Sequence, residues 1–291
     1  MAASTPLPKR RPARFAGPWL AVVPVALYLL VLFLVPLTYV VLSSFATQGP
    51  GGTVVFEPTL ENWQRFFQFP VNAVAYLRSI TVTFISVGLG TVVGYAVAFT
   101  IAFVIPRSLR PFALLMVVLP FWTSFIVRAF SWQLLLNDTG PVAVILRQIG
   151  LIHGQLGIID THVGTVIALS LFSMMIVTVS VYSVIDGIDR SLLEAAQDLG
   201  ARPLQTFFQV ILPLTYPGLS LGVALSFIVC FGDYVAPTLL GGGLNLLFSQ
   251  LMVEALRETF NVPLASVYAV VLLLTILAVT IPLLAFGRRN R

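Results

Sequence analysis

The chain has one cysteine, two histidines and one lysine in 291 residues, and only 9% of it is charged. Each scarcity removes a class of function. The lone thiol, Cys230, lies in an apolar run, so it makes no internal disulfide and offers no CxxC spacing for a metal or redox couple. His153 and His162, nine residues apart in a polar connector, supply neither an HExxH pair nor a histidine–carboxylate metal cluster. A phosphate-binding P-loop needs a lysine after its glycine-rich turn, and the single lysine is Lys9, near the N-terminus. ATP hydrolysis therefore has no seat in this sequence. Gly88, Gly90 and Gly94 form G-x-G-x-x-x-G inside an apolar run, which is not the dinucleotide fingerprint. The Gly90–Gly94 spacing predicts a close helix–helix contact instead.

The shortage of charge also identifies the solvent. Hydrophobic residues make up 58% of the chain and the mean hydropathy is +0.99, whereas a soluble domain carries roughly 25% charged residues. An all-α polytopic membrane protein follows. A helix needs about 20 apolar residues to cross a hydrocarbon core of roughly 30 Å, and six stretches qualify: Trp19–Leu42, Ser79–Ile105, Phe112–Leu135, Gly164–Ile185, Thr215–Ala236 and Leu264–Phe286. Basic residues favour the inner side of a membrane. With both termini inside, the inner segments hold Lys9, Arg10, Arg11, Arg14, Arg107, Arg110, Arg190, Arg202, Arg288, Arg289 and Arg291, against Arg65, Arg78, Arg147 and Arg257 outside. Both ends are expected in the cytoplasm, and the formal charge of +5 reports topology, with no need for a nucleic-acid partner. The apolar run after KRRPAR exceeds the 7–15 residues of a signal-peptide core, so it is read as a retained span. The expected layout is a flexible basic tail over 1–16, a transmembrane domain over 17–287 and a basic tail over 288–291. Outer connectors near 43–78, 137–163 and 237–263 are expected to carry short interfacial helices.

One polar island interrupts the inner side between the fourth and fifth spans, SLLEAAQDLGARPLQTFFQVILPL, residues 191–214. Ser191 and Glu194 have capping-box spacing, and Leu192, Ala195, Ala196 and Leu199 recur at helical intervals to give a small, apolar face. Gly200 supplies a stop that tolerates positive φ, and Pro203 suits the first turn of a second helix. At this spacing, Glu194-Ala195-Ala196, Gly200, Val210 and Leu212-Pro213 resemble the EAA loop of ABC importer permeases, with valine where that family usually has isoleucine and Ile211 adjacent. The resemblance covers nearly the whole chain and implies the type I importer fold with six spans. It further implies that residues 186–213 form a coupling loop, with Glu194, Ala195, Ala196, Asp198, Leu199 and Gly200 gripped by an ATPase subunit.

Two ionisable residues lie within spans, where charge is costly and points to function. Arg128, in LPFWTSFIVRAFSW, falls about 24 Å along the third span at 1.5 Å per residue. Asp233, in GDYVAPTLLGGG, falls near the outer end of the fifth. They either pair with one another, or one or both face the translocation route or a docked binding protein. Phe125, Arg128 and Trp132 share one helical face, and Trp122, Ser124 and Tyr234 stand nearby. Aromatic and carboxylate groups suit organic cations, and interfacial aromatic residues are equally ordinary in membranes.

Both stretches are similar to segments of spermidine/putrescine importer permeases, a group that also includes permeases for opines, ferric iron, thiamine and aminoethylphosphonate. The resemblance implies a non-enzymatic transport subunit of the bacterial inner membrane that binds no cofactor itself. Its implied partners are two ATP-binding subunits that use ATP and Mg, a second, homologous permease chain and a periplasmic substrate-binding protein. An ion-gradient-driven carrier is the alternative; such proteins carry internal repeats and mid-membrane charges, which this sequence lacks.

Overall fold

The computed structural model describes residues 17–242 and 246–289, and within them the chain is a helical bundle built around one central rod. The expected tail over 1–16, residues 243–245 and residues 290–291 lie outside the described residues. The first span is α1, Gly17–Ser43. From Val22 to Tyr39 it is apolar and exposed, because it rests mainly on the last helix. A two-stranded antiparallel hairpin follows, β1 Thr47–Gln48 with β2 Val54–Val55, then the amphipathic helix α2, Glu61–Gln68.

The second span is longer than the sequence suggests. Phe69 is extended and Pro70 occupies the first helical turn, where its missing N–H costs nothing, so α3 runs Pro70–Phe103 and begins nine residues before Ser79. Arg78 is therefore inside a helix and not in a connector. The fourth span, α7, covers His162–Ile185, so His162 opens a helix. The fifth begins early as well: α9, Pro203–Thr206, passes through a π turn at Phe207–Ile211 into α10, Leu212–Gly232. It ends at Gly232, before Ala236. The sixth, α13, extends Val262–Arg289, so Arg288 and Arg289 are helical and not tail.

The third span is the main correction. Residues 112–135 do not form one rod. Helix α4, Arg110–Val118, passes into a 3₁₀ turn at Leu119–Trp122, breaks at Thr123–Ser124 and resumes as α5, Phe125–Leu136, and α6, Pro141–Gln148. The two halves are bent by 93°. Thr123 and Ser124 take extended backbone, and Pro120 enters the tight turn before them. A depth for Arg128 reckoned along a straight helix therefore does not apply. Among the described residues five helices are long and apolar enough to cross a membrane, or six when the bent pair is counted as one span.

Helix α7 is clasped on both sides, by α3 and by α10. Small residues permit this. A Cβ on Gly90 would sit 2.6 Å from the Ser170 carbonyl oxygen, and one on Gly94 would sit 2.6 Å from that of Met174. Gly218 makes the equivalent approach from α10, 2.6 Å from the Ser180 carbonyl. Lipid tails are as apolar as leucine, so such close backbone packing and interhelical hydrogen bonds, each worth about 0.6 kcal/mol, must hold the bundle. Thr178 Oγ1 donates to the Gly94 carbonyl at 3.1 Å, Tyr95 and Thr215 share a hydroxyl bond at 2.9 Å, and Tyr268 donates to Asn72 at 2.8 Å. Cys230 is buried in α10 with its thiol toward the Leu169 carbonyl.

At the end of the bundle where α7 stops, Arg110 is buried. Its Nη1 reaches Asp186 Oδ1 at 2.9 Å, Nε donates to the Ile105 carbonyl at 3.2 Å, and Nη2 donates to the Ala102 carbonyl. One guanidinium thus joins the C-terminal end of α3, the start of α4 and the end of α7. Arg110→Ala leaves these acceptors without their donor, at a cost of about 1–3 kcal/mol given that Asp186 is half exposed. Lysine cannot reproduce the forked geometry. Thermal unfolding of the purified complex should fall clearly for Arg110→Ala, less for Arg110→Lys, and least for Asp186→Asn.

Candidate coupling and pathway sites

The polar island folds into α8, Ser191–Asp198. Its N-terminus is capped from Asp189, two residues before the Ser191 that the Ser191–Glu194 spacing predicts. Asp189 Oδ1 accepts the Ser191 N–H at 3.0 Å, and its carbonyl accepts that of Leu192 at 3.2 Å. An aspartate side chain readily accepts the N–H two residues on, and that local bond is the one made here. The Ser191 N–H, in turn, holds the Asp189 carboxyl below the usual carboxylate range. Glu194 is consequently free and exposed.

The C-terminus matches expectation. Gly200 has φ +80°, its N–H donates to the Gln197 carbonyl at 2.8 Å, and the Ala201 N–H donates to the Ala196 carbonyl at 3.0 Å. These two bonds form a Schellman cap. Pro203 opens α9, with the Gln205 side chain accepting the Arg202 N–H at 2.8 Å. Through the π turn, Ile211 becomes the buried residue while Val210 is half-buried.

Among the described residues, little beyond the following turn packs on α8. Glu194, Ala195, Asp198, Leu199 and Gly200 are exposed and Ala196 is half-buried; Leu199 retains 89% of its surface.

At the other candidate site, Phe125, Arg128 and Trp132 do share a face, which looks toward α7. With Ala129 they line a small cavity against Ala168, Leu169, Phe172 and Ala236. The Arg128 guanidinium carbon lies 4.5 Å from the ring centre of Phe121, 5.4 Å from Phe125 and 5.1 Å from Phe172. Neither Phe121 nor Phe172 was marked by the sequence; Phe172 comes from another span, which no local spacing reveals. Trp122 points away, 82% exposed, and Ser124 is exposed with its hydroxyl making no cap bond.

Arg128 and Asp233 form no ion pair; among the described residues the ion pairs are Arg65–Glu61 and Arg110–Asp186. Asp233 instead occupies the break after α10. Its carboxylate accepts the N–H groups of Val235 at 2.9 Å and Ala236 at 3.2 Å, starting α11, Val235–Leu240. Its carbonyl accepts the Ser249 hydroxyl at 2.7 Å, from α12, Phe248–Arg257. Tyr234, the next residue, is half-buried.

Comparison with known proteins agrees with this architecture. The spermidine/putrescine transport system permease protein PotB of Haemophilus influenzae is 31% identical over 243 residues, 84% of each chain. PotB of Escherichia coli K12 is 32% identical over 224 residues, covering 77% of this chain and 81% of its own. The fold matches a chain of a bacterial ABC transporter that imports the acidic polysaccharide alginate, with TM-score 0.70, 17% identity and coverage of 93% and 94%. Residues 90–291 match the model for the inner membrane component of binding-protein-dependent transport systems. Spans, island and glycine-packed core thus sit in one recognisable framework, and the chain belongs to that family of multi-pass inner membrane permeases, the transport subunits of ABC importers.

Proposed function

We propose that this chain forms half of the translocation path of a polyamine importer, with α8 as the handle through which a separate ATPase moves it. The observation that carries the reading is α8 itself. A two-turn helix this short is not stable alone, yet it is capped at both ends and projects Leu192, Ala195 and Leu199 into the open. Exposed apolar side chains set among Asp189, Arg190, Glu194 and Asp198 suit a protein cleft and not lipid. The basic bias of the sequence supports a cytoplasmic location for this end and for both termini.

Two ATP-binding subunits close on Mg and ATP and drive α8 toward its counterpart on a second, homologous permease chain. Motion passes into α7 directly and, through the Arg110–Asp186 contact, into the start of the broken span. A periplasmic binding protein delivers cargo at the opposite end. The cargo class rests on the PotB relatives and on the aromatic lining around Arg128; the opine, ferric iron, thiamine and aminoethylphosphonate classes are the competitors.

Affinity purification of the tagged chain should recover an ATPase and a second permease. The reconstituted complex should take up spermidine only with ATP and the binding protein together. Gradient-driven uptake by the purified chain alone would overturn the proposal.

A further inference from the structure

The guanidinium of Arg128 is held in an unusual way. Three phenylalanine rings surround it, and among the described residues no acceptor lies within reach of its Nε and Nη1, both of which are screened from solvent. Leaving such donors unmet is costly, while ring faces compensate only for the charge. The rings also come from elements that need not stay together. Phe121 precedes the break in the third span, Phe125 follows it, and Phe172 belongs to α7. Phe121 and Phe125 converge because the chain turns through 93° between them. Beside the rings opens a cavity of ≈ 240 Å³ with an apolar wall and the hydroxyls of Thr123 and Ser131.

We propose that this triad is a binding site for an ammonium group of the cargo, and that Arg128 plugs it in the resting state as the protein's own substitute for that cation. The identity of the cargo rests on the polyamine reading above. An alkylammonium matches what the triad offers: ring faces for the charge, an apolar wall for the methylenes and hydroxyls at the rim. A fixed guanidinium in the path would repel such a cargo, whereas one that leaves the rings as the ammonium enters exchanges one cation for another. Released Arg128 can then meet acceptors it now lacks, and Asp233 stands at the head of α11, whose Ala236 lines the smaller cavity on the Phe125 and Phe172 side of Arg128. The plug also blocks passive flow of cations when no cargo is present.

The test uses the complete importer in nanodiscs without its binding protein, and tetramethylammonium as the probe. Arg128→Ala should bind the probe at least tenfold more tightly than wild type, and adding Phe172→Leu should abolish the gain. Arg128→Lys should behave as wild type, since its ammonium still fills the rings. If the alanine variant does not assemble, Arg128→Met replaces it with a side chain of similar length. Binding by the unplugged variant no tighter than wild type, or a gain that survives Phe172→Leu, overturns the proposal. Tetramethylammonium is not a polyamine, so the two readings fail separately. Tight probe binding without competition by spermidine retires polyamine as cargo and leaves the plugged site standing. ATP-driven spermidine uptake with no effect of unplugging on probe binding does the reverse.

Discussion

Gly200→Val is expected to abolish uptake while ATP hydrolysis continues, no longer stimulated by the loaded binding protein. Position 200 has φ +80° and no neighbouring atom within 4 Å of where a Cβ would stand. The substitution therefore meets no clash; its whole effect is on the backbone. A left-handed conformation costs an ordinary residue about 1–2 kcal/mol, and a β-branched one tolerates it worst. The Schellman bonds from Gly200 and Ala201 are then lost, and an eight-residue helix has little else to keep its last turn wound. Transport should fall at least tenfold, on the order of 1.4 kcal/mol or more in coupling, with the protein present in the membrane at normal levels. Gly200→Asn should retain most activity, because asparagine enters this region readily. Paired measurements of uptake and ATPase rate in proteoliposomes decide the matter, and uptake by Gly200→Val within twofold of wild type removes α8 from its assigned role.

The second large effect is on the bundle itself. Gly94→Leu places a side chain where even a Cβ would stand 2.6 Å from the Met174 carbonyl and 3.1 Å from Val177 Cβ. Backbone cannot yield there as a flexible side chain could, so α3 must part from α7 and Thr178 loses its bond to the Gly94 carbonyl. Overpacking of this kind costs about 1–3 kcal/mol or more, which predicts a fall in the thermal midpoint on the order of 5 °C and poor recovery of the assembled complex. Gly88 lies on the same helix, exposed and with nothing within 4 Å. Gly88→Leu is therefore the control and should unfold with wild type. Equal loss in both variants would mean that helix propensity, and not the contact with α7, governs the effect.

Much of this was legible in the residues. Long apolar runs name their own helices because lipid leaves the backbone no other partner, and Gly90-x-x-x-Gly94 announced its contact. Gly200 and Pro203 fixed the corner after α8. The break in the third span was present as Pro120 and Thr123-Ser124, yet average hydropathy over 112–135 hides it; an apolar window measures solvent preference, not straightness. Cap register at α8 missed by two residues because Asp189, Ser191 and Glu194 all offer oxygen to the same N–H groups, and only the path of the chain leaving α7 selects among them. The environments of Arg128 and Arg110 were out of reach for a different reason. Phe172 and Asp186 lie 44 and 76 residues downstream of them, and no local periodicity encodes a meeting across spans.

Helix α7 is both the rod to which α3 and α10 are clenched and the rod that ends at the stem of α8. On the coupling role proposed for α8, a shove delivered to that stem would act on the axle and not on a spoke. The three closely packed members would then travel together, and relative slippage would fall at their seams with the lightly attached first helix and the two arms of the crooked third span.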